Sequence, residues 1–308
     1  MIPAVVLAAG LATRLRPLSL VRAKAAIPVA GRPLAGLIIE RLKAAGVSEI
    51  VVNLHYLPHT ITSQLGDGRH LGVRLRYSWE GVVLGSAGGP KRAAPLVDGP
   101  TFLLVNGDTL ASVDIGQLVA SHRASGALVT MAVMPNEEPH KYGGLATTPD
   151  GAMTGIVKRG DTTPSQHFVG IQVVEAEAFR AVPPDVPWES LAALYPALIA
   201  AKPGSVRTCT VAAEFHDIGT PRDYLETCLR LAHGVAAARD AAHAGVRESV
   251  LWDDVSVGAG ASLTRCVVTD GATIPAGSTW ANQILRLAAA APLTATETRV
   301  GELAVSSL

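Results

Sequence analysis

The segment Ala4-Val-Val-Leu-Ala-Ala-Gly10 places a short run of apolar, partly β-branched residues directly before a turn of small residues. Similar apolar runs follow, and segments with helical spacing lie between them. Because parallel strands need crossover connections, this alternation predicts an open, doubly wound, Rossmann-like α/β sheet. The predicted strands are 3–8, 50–54, 73–77, 101–106 and 127–134, and a helix is predicted at 33–45.

The second part of the chain predicts an extension of this sheet and then a helix. Shorter apolar runs at 152–158, 167–174 and 205–212, with a helical stretch near 188–201, are typical of a mixed sheet. A long helix is predicted from Thr220, which can cap it, to about Gly245. We therefore expect a first domain over residues 1–245.

The segment 246–281 has a different pattern. Gly and Ala corners alternate with apolar residues that repeat every six positions, with one slip of a single residue. This pattern predicts a short hexapeptide-type β-helix, although an irregular glycine-rich loop stays open. So few coils bury little surface alone, so we expect docking on the first domain or on a second copy of the chain. The tail 282–308 shows no such pattern, and we expect it to be partly disordered.

Composition excludes several classes of protein. The chain has 26 Lys and Arg residues against 26 Asp and Glu residues, and this balance argues against nucleic acid or an anionic membrane as partner. A local basic pocket for one small anion is still allowed. The three cysteines lack metal-ligand spacing and no apolar run is long enough to span a membrane. We expect a cytoplasmic protein.

The turn after the first apolar run is the first candidate site. Backbone N–H groups around Leu7, Ala8 and Gly10 can close around an anion, and Arg14 adds a fork of donors that matches phosphate oxygens. The sequence here favours a triphosphate cradle, although a plain connecting turn has the same composition.

This loop resembles a family signature. Gly10-Leu-Ala-Thr-Arg14, then Lys24, then Ile27-Pro-Val-Ala-Gly-Arg-Pro33 are similar to the sugar-1-phosphate nucleotidylyltransferases, also called NDP-sugar pyrophosphorylases. The family loop has a second Gly where Ala12 stands, while Gly10, Thr13 and Arg14 match. The added Cβ lies where the backbone approaches phosphate, so the loop geometry is the feature that this departure affects.

The resemblance implies the nucleotidyltransferase fold, with a left-handed β-helix at the carboxyl end, and roles for further residues. The stretch 80–89 resembles the loop that holds the nucleobase against the start of a helix. Two aspartates resemble the carboxylates that bind Mg²⁺, and a third group resembles the sugar-phosphate pocket. The base-loop residues are Gly85, Ser86 and Gly88, the metal ligands are Asp108 and Asp217, and the pocket residues are Tyr142, Gly143, Lys158 and Gly170.

Each of these residues also has a purely structural explanation. Asp108 can form a turn, Asp217 can help to cap the following helix, and Lys158 can be an exposed surface lysine. The neighbouring carboxylates Asp253 and Asp254 are expected to form a solvated corner of the predicted β-helix.

The resemblance implies transfer of a nucleoside monophosphate from a nucleoside triphosphate to a sugar 1-phosphate, with Arg14 and Lys24 at the phosphates. The base loop and the C-terminal segment look most like the branch containing mannose-1-phosphate guanylyltransferases. Uridylyl or thymidylyl transfer to another sugar 1-phosphate is one alternative, and a non-catalytic, nucleotide-sugar-binding regulator is another. A dinucleotide-dependent oxidoreductase is disfavoured, because the first turn lacks the further glycines.

Overall fold

The computed structural model of the chain describes residues 2–231 and 245–308. These residues divide into two compact units. The first unit comprises Met1–Gly10, Gly36–Pro58 and Leu65–His216, and the second comprises Leu11–Ala35, His59–Gln64 and Asp217–Leu308.

The described helices and strands are numbered in chain order. The α-helices are α1 (Leu34–Ala44), α2 (Pro58–Leu65), α3 (Gly85–Ala93), α4 (Ile115–Ser125), α5 (Tyr195–Ala201) and α6 (Pro221–Leu231). The strands are β1 (Ala4–Leu7), β2 (Pro28–Val29), β3 (Arg32–Pro33), β4 (Glu49–Leu54), β5 (Arg74–Trp79), β6 (Thr101–Asn106), β7 (Thr109–Ala111), β8 (Val129–Pro135), β9 (Gly144–Thr147), β10 (Met153–Val157), β11 (Gln166–Glu175), β12 (Val206–Thr210), β13 (Phe215–Asp217), β14 (Val246–Arg247), β15 (Val250–Leu251), β16 (Ser256–Val257), β17 (Ser262–Thr264), β18 (Val267–Val268), β19 (Thr273–Ile274), β20 (Thr279–Ala281), β21 (Gln283–Leu287), β22 (Thr298–Val300) and β23 (Leu303–Ser307).

The first unit contains the predicted doubly wound sheet. Strand β1 lies between β4 and β6 and is parallel to both, and β5 is parallel to β4. Strand β11 is antiparallel to β6 and continues the sheet toward β8, β9, β10 and β12. The strand order reverses at β1, so the loops after β1 and β6 lie at the switch point where such sheets bind ligands.

The core of the first unit explains why these segments form strands. Val5, Val51, Phe102 and Leu104 are almost fully buried within one cluster of apolar side chains. Continuous apolar runs of this kind suit strands that are covered on both faces. The predictions of a mixed α/β sheet and of a helix at 33–45 are confirmed, and the helix is α1.

The second unit contains coils of parallel strands. Val246 lies beside Leu263 and Leu263 beside Trp280, so each coil advances by 17 residues. Three ladders of short strands form its sides: β14-β17-β20, β15-β18-β21 and β16-β19. A coil of 17 residues with three sides cannot keep a strict six-residue repeat, and this explains the single slip seen in the sequence. The parallel coils favour the predicted β-helix over an irregular loop.

The tail is ordered, which corrects the expectation of partial disorder. Strand β21 extends the coils by pairing with β18, and β23 pairs antiparallel with both β21 and β22. The guanidinium of Arg286 is fully buried and bonds to the carboxylate of Glu297 at 2.7 and 2.8 Å. A buried, two-pronged ion pair fixes the path of the tail against the last coil.

The predicted helix from Thr220 is confirmed over α6. Thr220 caps it, since its Oγ1 accepts a hydrogen bond from the N–H of Asp223 at 3.2 Å. The remainder of the predicted helix, up to residue 244, lies outside the described residues. Within the described ranges, none of the helices combines the length and the apolar character needed to cross a membrane.

Candidate active site

The turn that carries Asp108 lies against the loop after β1. The N–H of Gly107 donates to the carbonyl of Leu7 at 2.9 Å, and a Cβ added at Gly107 would lie 2.4 Å from that oxygen. Residue 107 must therefore be glycine for the two backbones to approach so closely. Asp108 follows it, half-buried, at the carboxyl end of β6.

One backbone amide of the loop after β1 is hydrogen-bonded within the protein. The N–H of Ala8 donates to Oδ1 of Asn53 at 2.6 Å, so this amide is engaged inside the first unit. Gly10 is exposed, and a Cβ added there would meet nothing within 4 Å. Of the three predicted cradle residues Leu7, Ala8 and Gly10, Gly10 is thus the most accessible to a ligand.

The predicted base loop leads into α3, and several of its donors are paired within the protein. The N–H and hydroxyl of Ser86 donate to Glu189 at 3.3 and 2.6 Å, and the N–H groups of Ala87 and Gly88 donate to the carbonyl of Trp188. These bonds pair three of the N–H groups at the start of α3 within the protein.

Two glycines allow the start of α3 to pack closely against the segment 186–189. Gly85 has φ +77° and a Cβ there would lie 2.6 Å from Oε1 of Glu189, while a Cβ on Gly88 would lie 2.7 Å from the Val186 carbonyl. Glu189, which lies 103 residues from Ser86, is not among the residues predicted from the sequence. No local pattern indicates such a distant pair.

The predicted sugar-phosphate residues come together in the first unit. A Cβ added at Gly143 would lie 3.3 Å from the Val157 carbonyl, so the Tyr142-Gly143 turn lies beside the backbone that leads to Lys158. Lys158 follows β10 directly and is exposed. The structure thus brings the pocket residues Tyr142, Gly143 and Lys158 to one place.

Gly170, the fourth predicted pocket residue, lies next to the Asp108 turn. It has φ +85°, sits where the pairing of β11 with β8 shifts register, and a Cβ there would lie 2.6 Å from Oγ1 of Thr109. Such irregularities recur beside active sites. This bulge places the Gly170 backbone beside the residues that flank Asp108.

An aromatic cluster that was not predicted from the sequence includes Tyr142. The ring of His167 lies 4.4 Å from that of Tyr142 and 4.8 Å from that of Phe215. Burial lowers the pKa of His167, although the Gly143 backbone and Glu138 oppose this change. The partly buried imidazole of His167 thus lies beside Tyr142 of the predicted sugar pocket.

In the second unit, Arg14 and Asp217 converge at Gly219. A Cβ added at Gly219 would lie 3.1 Å from Oδ2 of Asp217, 3.4 Å from Nη1 of Arg14 and 3.4 Å from Oδ2 of Asp223. The exposed Arg14 belongs to the short 3₁₀ turn Thr13–Leu15. The predicted phosphate-gripping cation and one predicted metal ligand are therefore neighbours.

Ala12, where the family pattern has Gly, adopts a left-handed conformation with φ 47° and ψ 46°. Its carbonyl accepts hydrogen bonds from Leu15 N–H at 3.0 Å and from the Ser19 hydroxyl at 2.9 Å. The loop thus keeps the backbone shape that suits glycine although a Cβ is present, at a cost of roughly 1–2 kcal/mol.

Lys24 starts the 3₁₀ turn Lys24–Ala26, which α2 holds within the second unit. Oγ1 of Thr60 accepts from the N–H of Ala23 at 3.1 Å, and Gln64 donates to the carbonyl of Ala26 at 3.2 Å. These two bonds fix the backbone on both sides of the half-buried Lys24.

Arg22, which was not predicted from the sequence, links the segment around Lys24 to the coils. Its guanidinium makes two hydrogen bonds of 2.6 Å to Asp270 and one of 2.6 Å to Asp253, and it lies 5.5 Å from the ring of Trp252. Burial lowers the pKa of Arg22, but the two carboxylates outweigh this and raise it overall. Burial likewise raises the pKa of Asp270, against the effect of Arg22. Asp253 and Asp254 are exposed in a turn of the coils, as expected, and Asp253 also pairs with Arg22.

A chain of hydrogen bonds extends this anchor. The indole N–H of Trp252 donates to the hydroxyl of Tyr224 at 2.8 Å, and that hydroxyl donates to the carbonyl of Pro28 at 2.5 Å. Helix α6 and the first coil therefore both contribute to holding the segment between Arg22 and Pro28.

Known proteins resemble this chain in sequence. A family model described as "Nucleotidyl transferase" matches residues 3–233. Mannose-1-phosphate guanylyltransferase of Mycobacterium tuberculosis is 28% identical over 294 residues, which are 90% of this chain and 82% of that protein. N-acetylmuramate alpha-1-phosphate uridylyltransferase of Neisseria meningitidis serogroup B is 34% identical over 225 residues, 70% of this chain and 93% of that protein.

Solved structures share the fold. HddC from Yersinia pseudotuberculosis, complexed with GMP-PN, aligns with a TM-score of 0.66 and 24% identity, over 75% of this chain and all of that chain. A putative glucose-1-phosphate thymidylyltransferase from Bacillus anthracis aligns with a TM-score of 0.67 and 18% identity, over 76% of this chain and 96% of that chain. The resemblance seen in the signature loop is confirmed, and the chain belongs to the nucleotidyl transferase family, among the sugar-1-phosphate nucleotidylyltransferases.

Proposed function

We propose that this sugar-1-phosphate nucleotidylyltransferase uses GTP and mannose 1-phosphate. The similarity to the mycobacterial guanylyltransferase spans 90% of the chain. The Leu84-Gly-Ser-Ala-Gly-Gly89 loop and the coils after residue 245 point to the same branch. Uridylyl transfer is the second candidate, because the meningococcal uridylyltransferase is the more identical of the two relatives, at 34%.

The reaction is an in-line displacement at phosphorus. A phosphate oxygen of the sugar 1-phosphate forms a bond to the α-phosphorus of the nucleoside triphosphate, and the bond from that phosphorus to the oxygen bridging to the β-phosphate breaks. Pyrophosphate leaves with the electron pair. The attacking phosphate is already an anion, so the protein needs neither a nucleophile nor a strong base; it aligns two polyanions and stabilises charge.

The cations of the site suit these tasks. Arg14 grips the pyrophosphate portion with its planar fork of donors. Lys24 offsets charge near the reacting phosphorus, on a backbone that α2 holds through Thr60 and Gln64. Lys158 binds the phosphate of the sugar, beside the Tyr142-Gly143 turn.

Asp108 and Asp217 are the proposed ligands of Mg²⁺. Their chemistry fits, because Mg²⁺ prefers oxygen ligands and takes one or two carboxylates together with substrate phosphates. Both side chains are half-buried, and Arg14 lies close to Asp217 for the same phosphates. In the described part of the chain no group of three or more metal-ligating side chains is found, and the proposed site uses two. When bound, Mg²⁺ neutralises phosphate charge.

One observation carries this proposal. The Asp108 turn, the loop after β1 and the Gly170 bulge meet at the switch point of the sheet, with Gly107 and Gly170 packed too closely to admit any side chain. A site of this shape presents a carboxylate and backbone groups to a ligand at the carboxyl ends of the strands.

Pyrophosphate release tests the substrates. The purified chain is incubated with Mg²⁺, each nucleoside triphosphate in turn and a panel of sugar 1-phosphates, and a sample with chelator serves as control. We expect the highest kcat/KM for GTP with mannose 1-phosphate and no release in chelator. A preference for UTP supports the second candidate. No release with any pair, together with binding of a nucleotide sugar, identifies a regulatory homologue instead.

We also propose that the chain acts in the cytoplasm and that its coils contact a second copy. All three cysteines are free and buried, which fits a reducing compartment. Light scattering of the purified chain, with and without residues 246–308, tests the oligomer.

A further inference from the structure

We propose that Asn53 and Glu80 are positioning residues that lock the loop after β1 and the base loop into one register. Oδ1 of Asn53 accepts from the N–H of Ala8 at 2.6 Å, and Nδ2 of Asn53 donates to Oε1 of Glu80 at 2.7 Å. Oε2 of Glu80 in turn accepts from the N–H of Leu84 at 2.8 Å. The role of this bridge rests on the proposed function.

The bridge is buried and tightly enclosed. Asn53 is 3% exposed and Glu80 6%. A Cβ added at Gly89 would lie 2.7 Å both from Nδ2 of Asn53 and from Oε1 of Glu80, so α3 crosses the bridge at a glycine. Away from water, a hydrogen bond to a carboxylate is strong and an unpaired donor is costly. The bridge therefore holds its geometry firmly.

The function of the bridge follows from the two loops that it connects. Ala8 belongs to the loop proposed to bind the triphosphate, and Leu84 directly precedes the Gly85-Ser86 loop proposed to bind the base. Both oxygens of Glu80 accept bonds from the protein, so Glu80 supports backbone and does not act as the base of the reaction. Fixing the distance between the two loops fixes where the α-phosphorus lies once the base is bound. A displacement of about 1 Å at such a centre can cost on the order of 10²-fold in rate.

An exchange of the two functional groups tests this proposal. In Asn53→Asp, two carboxylates face each other and the donor to Glu80 is lost. In Glu80→Gln, a single amide oxygen must serve two donors, the Asn53 amide and Leu84 N–H. The double variant Asn53→Asp with Glu80→Gln restores all three bonds: the aspartate accepts from Ala8 N–H and from the glutamine amide, and the glutamine oxygen accepts from Leu84 N–H. The net charge is unchanged.

We expect each single variant to lower kcat/KM for the nucleoside triphosphate at least about tenfold, and the double variant to return within about threefold of wild type. KM for the sugar 1-phosphate should stay near wild type throughout. The control is Thr130→Val, which removes a buried hydrogen bond to His122 between β8 and α4 of the same unit. It should lower the thermal midpoint but leave triphosphate binding unchanged.

Equilibrium binding of GTP and UTP, measured by calorimetry, keeps this test separate from the proposed reaction. If the wild-type chain binds a triphosphate but converts no pair of triphosphate and sugar 1-phosphate, the proposed function fails. The Asn53 and Glu80 variants then still test the bridge through their affinity for the triphosphate. Wild-type kinetics and affinity in both single variants overturn the proposal. So does a double variant that regains the thermal midpoint but not the triphosphate affinity, since the bridge is then merely structural. If the single variants do not fold, the double variant alone decides, by its affinity against wild type.

Discussion

The two units hold their candidate site residues by different interactions. In the first unit, buried hydrogen bonds to the Glu80 carboxylate hold the loops. In the second unit, an ionic cluster around the Arg22 guanidinium holds the segment with Arg14 and Lys24. The Glu80 bridge is excluded from water, while the side chain of Asp253 in the Arg22 cluster is 68% exposed. Salt screens exposed charges far more than buried hydrogen bonds. The two units should therefore respond differently to ionic strength.

This difference matters because each unit carries residues of the proposed reaction. The first unit carries Asp108, Lys158 and the base loop, and the second carries Arg14, Lys24 and Asp217. The geometry of each group depends on the support within its own unit. Substitutions in one unit at a time show how much each contributes.

The largest effect is expected from substitution of the proposed metal ligands. Asp108→Asn and Asp217→Asn should each lower kcat by at least about 10²-fold, because a carboxylate ligand of Mg²⁺ is lost. Both variants should also need more Mg²⁺ for half-maximal activity, measured by pyrophosphate release in a Mg²⁺ titration. The control is Asp67→Asn, an exposed carboxylate paired with Arg69. Near-normal activity in both variants refutes the metal assignment.

The Arg22 cluster should have the next largest effect. Arg22→Gln removes three hydrogen bonds to carboxylates and should raise KM for the triphosphate roughly tenfold, as expected for losing about 1.5 kcal/mol from charged hydrogen bonds. Arg22→Lys keeps the charge but not the two-pronged geometry and should be intermediate. KM of wild type should also rise with salt more steeply than KM of Arg22→Gln.

Arg265→Gln is the matched control for this prediction. Arg265 also projects from the coils and pairs with Glu226 and Glu248 in the second unit. Its substitution should leave KM for the triphosphate unchanged. Equal effects of Arg22→Gln and Arg265→Gln would show that general stability, and not the anchoring of the signature segment, sets KM.

A smaller effect concerns the pH dependence of the first unit. Burial lowers the pKa of His167, so below pH of about 6.5 the unfolded chain binds a proton before the folded chain does. The free energy of unfolding should therefore fall as pH drops from neutral through the lowered pKa. His167→Gln should flatten this fall, measured by urea unfolding between pH 7 and 5.

The control for His167 is His70→Gln, because His70 is exposed. The Glu138 and Lys141 charges face His167 and act on its pKa in opposite directions, so both must be kept. Identical pH slopes in wild type and His167→Gln would mean that His167 contributes nothing to the acid sensitivity.

Each part of the molecule that was predicted from the sequence has its pattern in residues that are close along the chain. The sheet follows from apolar runs, the cap of α6 from Thr220 and Asp223, and the coils from a six-residue repeat. The supports of the site were missed because their partners are distant: Asn53 lies 45 residues from Ala8, and Asp270 lies 248 residues from Arg22. The tail was missed for another reason, since an antiparallel hairpin closed by Arg286 and Glu297 leaves no repeat in the sequence.

The smallest expected effect is that of Ala12→Gly, in the loop of the second unit. The left-handed conformation of Ala12 is strained by its Cβ, and glycine removes that strain but adds freedom to the unfolded chain. The net gain should be at most about 1 kcal/mol in the free energy of unfolding, measured in urea. Ala44→Gly, at the end of α1, should instead lose roughly 0.5–1 kcal/mol. A loss of similar size in Ala12→Gly would mean that the loop is not strained, and that the departure from the family pattern at this position is neutral for the second unit.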